Sequence, residues 1–223
     1  MTNGATCDGE NNSPSWGLYD LFAWKVWPER FHGGREYIQK FKDAWVQNNK
    51  LKIKMEATQY NMPPELLAGV CWIEVGGDPN FIDRVAFEVR SFDWSGPDWV
   101  DRNLTITNRP EKTSFGAVSI QIRTAAETLG LDASKMSAQE QSNLAECLQK
   151  DFYNIHVVAL HLRQLLDLDG LQKNPPALEE EAIRVVGARY NRGRGLSLEQ
   201  IKKNTSYGDF IVKFWPRFQN LMK

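Results

Sequence analysis

With 223 residues, 42% of them hydrophobic, the chain can bury one substantial core, and we read it as a single domain over 34–223 behind an aromatic-rich, partly ordered leader over 1–33. Lys and Arg number 27 against 28 Asp and Glu, a formal charge of -1 with no long basic block, which argues against a nucleic-acid partner. Attraction to an anionic polymer would have to come from a local cleft.

Cys7, Cys71 and Cys147 lie far apart without a CxxC pair, so neither a zinc site nor a disulfide framework is expected, and no metal or cofactor is called for. The odd count suggests reduced thiols, with Cys71 and Cys147 as small core residues inside apolar helical patterns. The N-terminus has neither the basic region nor the apolar run of a secretory signal, and no stretch is long enough to span a bilayer.

Residues 1 to about 15 are rich in Gly, Asn, Ser and Asp and read as poorly ordered. Trp16, Tyr19, Phe22, Trp24 and Trp27 then crowd a short stretch, a cluster expected to cover an apolar surface of the domain. From Glu36 to about Tyr60 the pattern predicts a helix with Tyr37, Phe41, Trp45 and Asn48 on one face.

The segment Pro64 to Glu74 predicts the next helix, with prolines suited to its first turn and Gly76-Gly77 just past its end. Leu67, Val70, Cys71 and Glu74 share one face at spacings of three and four, which sets the Glu74 carboxyl beside the apolar stripe. Desolvation and the negative end of the helix dipole both disfavour its ionised form. A neutral, proton-donating carboxyl is what a general acid requires; the plainer alternative is a Glu that reaches water from a helix end.

From Asp78 to Thr113 the pattern becomes alternating and turn-rich, predicting an irregular or small β insertion. Helical signals return with Thr124–Leu129, stopped by Gly130, and with the capping box Ser137 to Glu140. Leu144 to Leu168 carries the strongest periodicity, through Leu148, Phe152, Ile155, Ala159, Leu162 and Leu166, and predicts a central helix ended by Gly170. Two further helices are expected, Leu178–Tyr190 and Tyr207–Met222, the second kinked at Pro216. The fold class is therefore mainly α with a small β or irregular insertion.

Four separated segments fall in a suggestive order. They are Pro64-Glu-Leu-Leu-Ala-Gly-Val-Cys-Trp-Ile-Glu74 with Pro79-Asn80, Ser114-Phe-Gly116-Ala-Val-Ser-Ile-Gln121-Ile, the helix containing Asn154 and His161, and Ala188-Arg-Tyr190-Asn191-Arg-Gly193. Together they resemble the soluble lytic transglycosylases and goose-type lysozymes, over residues 60 to about 215. The resemblance implies a lysozyme-like helical domain that cleaves the β-1,4 bond between N-acetylmuramic acid and N-acetylglucosamine in peptidoglycan, with Glu74 protonating the leaving oxygen. It also places Gln121 and Tyr190 beside the acid, Tyr190 holding the Glu side chain, and makes Ser114 and Ser119 candidate donors to the acid or to a sugar acetamido group. Gly116-Ala-Val-Ser-Ile-Gln departs from the family's Gly-Leu-Met-Gln at this point. Asn191 reads as a turn residue.

A transglycosylase needs no second carboxylate, because the acid also takes the proton of the muramic acid 6-hydroxyl as a 1,6-anhydro ring closes. A hydrolytic lysozyme needs a group to activate water, and Asp83, Asp93, Asp98 and Asp101 supply acids by count. Asp83 follows Glu74 by nine positions, as in phage lysozymes, but Val89 stands where their Thr is expected. Trp94 and Trp99 are candidates for stacking on sugar or for packing their loop, and His32, His156 and His161 show no ligand spacing and read as structural or solvated.

The expected activity is that of a lytic transglycosylase, with a hydrolytic muramidase as the alternative enzyme and a non-catalytic glycan- or partner-binding module as the alternative class. A wall-cleaving protein made in the cytoplasm without an export signal would reach the periplasm or cell wall as a phage lysin or as an antibacterial effector delivered by a secretion machine. An effector of that kind implies an inhibitor or immunity protein as a partner beside the glycan strands.

Overall fold

The computed structural model describes Cys7 and residues 13–76, 114–172 and 175–223. In chain order these form helices α1 (Leu18–Lys25), α2 (Gly34–Asn48), α3 (Lys50–Gln59) and α4 (Pro64–Glu74), then strands β1 (Ser114–Phe115) and β2 (Ile120–Gln121). There follow α5 (Ile122–Thr128), α6 (Ala138–Leu148), α7 (Asp151–Leu168), α8 (Glu180–Arg192), α9 (Leu198–Lys202), α10 (Ser206–Lys213) and α11 (Trp215–Met222). The protein is mainly α, as its periodicity predicts, and no helix among the described residues is long and apolar enough to cross a membrane. The expected insertion, with Asp83, Asp93, Trp94, Asp98, Trp99 and Asp101, lies outside the described residues.

The chain divides into two compact units, residues 1–41 with 75–154 and residues 42–74 with 155–223. In the first unit, Trp16 packs edge-on to Phe41 at 4.7 Å between ring centroids and lies 6.2 Å from both Trp24 and Tyr37. The Tyr37 hydroxyl donates to Asp20 at 2.7 Å, and that bond, with burial, pushes its pKa up to about 12. Leu18, Tyr19, Phe22, Val26 and Trp27 of the same stretch remain exposed, so only part of the aromatic cluster acts as a cover.

Strands β1 and β2 form an antiparallel hairpin pairing Ser114 with Gln121 and Phe115 with Ile120. Its turn begins at Gly116, where φ is +87° and an added Cβ would lie 2.4 Å from the Leu148 carbonyl oxygen, so no larger residue fits. The buried amide oxygen of Asn154 then accepts from the Val118 N–H at 2.8 Å. Ser137 and Glu140 form the expected capping box at the start of α6.

Cysteine spacing misleads here. Cys7 and Cys147 are joined by a disulfide across 140 residues, leaving Cys71 as the buried free thiol. A pair so distant leaves no local motif, and counting spacings reveals only local ones.

In the second unit α4 is buried on almost every side: Leu66, Leu67, Ala68, Val70 and Cys71 are fully enclosed, with α3, α10 and α11 packed against it. Helix α7 contributes Ile155, Val157, Val158, Ala159, Leu162, Leu165 and Leu166, all at 0% exposure, the all-round burial expected of a central helix. Helices α8 and α10 meet backbone to backbone, since a Cβ on Gly208 would lie 2.1 Å from the Arg184 carbonyl oxygen. His156 and Glu56 form a buried pair at 2.9 Å, and Arg189 pairs with Asp169 at 2.7 Å.

Three predicted helices are each broken in two. The run from Glu36 to Tyr60 stops at Asn49, which leaves helical geometry and donates its side-chain amide to the Trp45 carbonyl at 3.1 Å. Its buried face is also rotated by one position, to Ile38, Lys42, Trp45, Val46 and Asn49, because Tyr37 and Phe41 turn toward Trp16. The run from Leu144 to Leu168 is divided after Leu148, and the last helix restarts at Trp215 with Pro216 in its first turn, where a missing N–H costs nothing. Helix α9 was not expected, although Ser197 and Gln200 form a capping box at its start.

Candidate active site

Helix α4 ends at Glu74, as the sequence predicts, and Gly76 follows with φ of +79°, a left-handed turn away from the helix axis. The Glu74 side chain is half-buried, and its Oε1 accepts a hydrogen bond from the Tyr207 hydroxyl at 2.7 Å. Burial raises the carboxyl's pKa above its ordinary value, opposed by that hydrogen bond and then by the positive charge of Lys42. The net direction favours the protonated acid, as expected from its place beside the apolar stripe.

Lys42 reaches the same helix end. Its ammonium donates to the carbonyl oxygens of Trp72 at 2.8 Å and Ile73 at 2.7 Å, and burial brings its pKa down to about 8 while Glu74 pulls it back up. The neighbouring Asp43 accepts from the Trp72 indole N–H at 2.8 Å and is gripped by Arg217 through two bonds of 2.9 and 2.6 Å. Trp72 is fixed in turn by stacking on Phe210 and Phe214 at 5.8 and 6.3 Å.

Tyr190 and Tyr207 stand together, ring centroids 5.9 Å apart, and burial followed by the charge of Glu74 raises both phenols well above their usual pKa. Their roles differ from the expectation: Tyr207, not Tyr190, holds the Glu74 carboxyl. The Tyr190 hydroxyl is buried and has no hydrogen-bond partner among the described residues. Its ring instead lies edge-on to His161 at 5.8 Å. Burial, with Arg194 nearby, brings the His161 pKa down to about 4, so this imidazole is neutral at physiological pH.

Tyr207 also forms part of the wall of an open cavity of about 440 Å³, lined by Trp72, Ile73, Asn191, Ser206, Tyr207 and Phe210. Asn191, expected as a turn residue, sits in the last turn of α8 and is exposed into this space. Glu74 meets this aromatic-walled, open cavity through the Tyr207 hydroxyl, so the acid lies one hydrogen bond behind the wall of the space that a polar ligand would occupy.

The other predicted residues belong to the first unit. Gln121 is exposed and precedes the first residue of α5, Ser119 is exposed in the hairpin turn, and Ser114 begins β1. Tyr207 and Lys42 are the participants that sequence reasoning missed. Neither stands in a motif: Lys42 reads as a surface residue of an amphipathic helix, and Tyr207 as the first aromatic of a C-terminal apolar run. Among the described residues no cluster of His, Cys, Asp and Glu could hold a metal ion. No family model, no curated protein and no solved structure matches the chain, so its chemistry has to be read from these side chains.

Proposed function

We propose that the protein is a lysozyme-like enzyme that cleaves the β-1,4 bond between N-acetylmuramic acid and N-acetylglucosamine in peptidoglycan, with Glu74 as general acid and then general base. The observation that carries this reading is a half-buried carboxyl at the end of an apolar helix, biased toward its protonated form by burial and fixed by the Tyr207 hydroxyl at 2.7 Å. The motif order around Glu74, Gln121 and Tyr190 supports the same assignment.

In this mechanism protonated Glu74 donates to the leaving glycosidic oxygen as the C1–O bond breaks and positive charge builds on the muramic acid ring. The muramic acid 6-hydroxyl attacks C1, its proton passes to the Glu74 carboxylate, and the acid is restored with a 1,6-anhydro end on the product. Both proton transfers use one carboxyl, so no second acid enters. Tyr207 steadies the ionised form between the two transfers and keeps the carboxyl in one orientation. The half-buried Phe210 in the cavity wall offers an apolar face to a sugar ring, and the exposed Asn191 and Ser206 offer hydrogen bonds.

The Cys7–Cys147 disulfide suits an oxidising compartment such as the periplasm, where peptidoglycan lies. Delivery there as a phage lysin or as an antibacterial effector fits that setting. A turbidity assay on purified cell walls tests the reading: clearing by the native protein and none by Glu74→Gln of unchanged circular dichroism is the expected result. Clearing by the variant at the native rate would overturn it, as would inactivity of the native protein toward every wall type offered.

A further inference from the structure

The end of α4 should be electrostatically poor ground for an acid that must ionise during its cycle. Its last carbonyls have no partner within the helix and carry the negative end of the helix dipole. Lys42, only 7% exposed, crosses to that end and donates to the carbonyls of Trp72 and Ile73, the two residues before Glu74. Burying an ammonium is costly unless it is hydrogen-bonded and its charge offset; Lys42 bonds these carbonyls and feels the attraction of Glu74. Its neighbour Asp43 is bound to Trp72 and Arg217, which holds the segment containing Lys42 against the same helix end.

We infer that Lys42 is a positioning residue for Glu74, an ammonium brought to the open end of α4 that holds the helix end carrying the carboxyl and sets a positive charge beside it. This rests on the reading of Glu74 as the acid. Among the described residues, the titratable and charged groups at this helix end include Cys71 on α4 itself, Lys42 and Asp43 from α2, Tyr190 from α8, Tyr207 from α10 and Arg217 from α11. Asp43 and Arg217 neutralise one another at 2.6 Å, and the two phenols are uncharged near neutral pH. Among the described residues, Lys42 is a cation that offsets both the dipole and the developing carboxylate. Tyr207 provides the hydrogen bond, and Lys42 the charge.

The test separates charge from capping. Glu74 is titrated by NMR of the side-chain carboxyl carbon, assigned by comparison with Glu74→Gln, in the native protein and in Lys42→Met, Lys42→Gln and Lys42→Arg. Loss of the ammonium in the Met and Gln variants is expected to move the Glu74 midpoint up by about one pH unit, with the basic limb of the lysis profile following, while Arg keeps it near the native value. Gln retains a donor for the carbonyls and serves should the Met variant fail to fold. An unmoved midpoint in a folded Met or Gln variant overturns the role of Lys42 and leaves the reading of Glu74 intact. A native protein without lytic activity overturns that reading, and this role of Lys42 with it.

Discussion

Tyr207 donates its hydroxyl to Glu74 at 2.7 Å across 133 residues of sequence, and it is the one hydrogen bond that orients the carboxyl among the described contacts. Hydrogen bonding to the ionised form lowers a carboxyl's pKa, so Tyr207 opposes the rise that burial causes. Tyr207→Phe is expected to move the basic limb of the pH–activity profile upward and to lower the rate about 10- to 100-fold, the equivalent of one hydrogen bond to a charged group. Steady-state lysis rates across pH, with circular dichroism to confirm folding, check this.

Tyr190 makes the opposite case. Its hydroxyl is buried without a partner among the described residues, so it contributes little to the free protein's stability. Tyr190→Phe should leave stability unchanged or raise it by up to about 1 kcal/mol, while reducing the rate of wall cleavage. Urea unfolding beside the turbidity assay measures both; a large loss of stability would show that the hydroxyl is already bonded in the free protein.

Glu74 itself should cost the fold stability. Its folded-state pKa is raised, so the stability it contributes is complete below the unfolded carboxyl value and is lost as pH rises through the folded one. Glu74→Gln does not titrate, and the variant should gain on the native protein as pH rises above the unfolded carboxyl value of about 4, with the two converging at the acid end. Denaturant midpoints measured over that range test the sign. A variant that loses ground as pH rises would place the carboxyl's pKa below its ordinary value.

The disulfide makes a separate prediction. Of the three cysteines, Cys71 alone should react with a thiol reagent after denaturation without reductant, and all three after reduction. Joining residues so far apart restrains the unfolded chain, so reduction is expected to lower stability by about 2–5 kcal/mol. Intact mass after alkylation, followed by unfolding of the reduced protein, checks both statements.

Much of the helical framework was legible because burial imposes a period. The end of α4 at Glu74, the capping box at Ser137 and the apolar stripe through Ile155, Leu162 and Leu166 each follow from residues close in sequence. Breaks inside long periodic runs were harder to see. Asn49 interrupts its helix and bonds its side chain to the Trp45 carbonyl, a choice that the period on either side does not report. The site was legible only as far as its motif residues. Lys42 and Tyr207 reach Glu74 through tertiary packing, and the Cys7–Cys147 link likewise joins residues with no local relation.

The most direct measurement is mass spectrometry of the muropeptides released from purified peptidoglycan by the native protein and by Glu74→Gln. The account predicts glycan fragments ending in 1,6-anhydro-muramic acid from the native protein and none from the variant. Fragments with reducing muramic acid ends would contradict the one-carboxyl mechanism, and equal release by both proteins, or none by either, would contradict Glu74 as the acid.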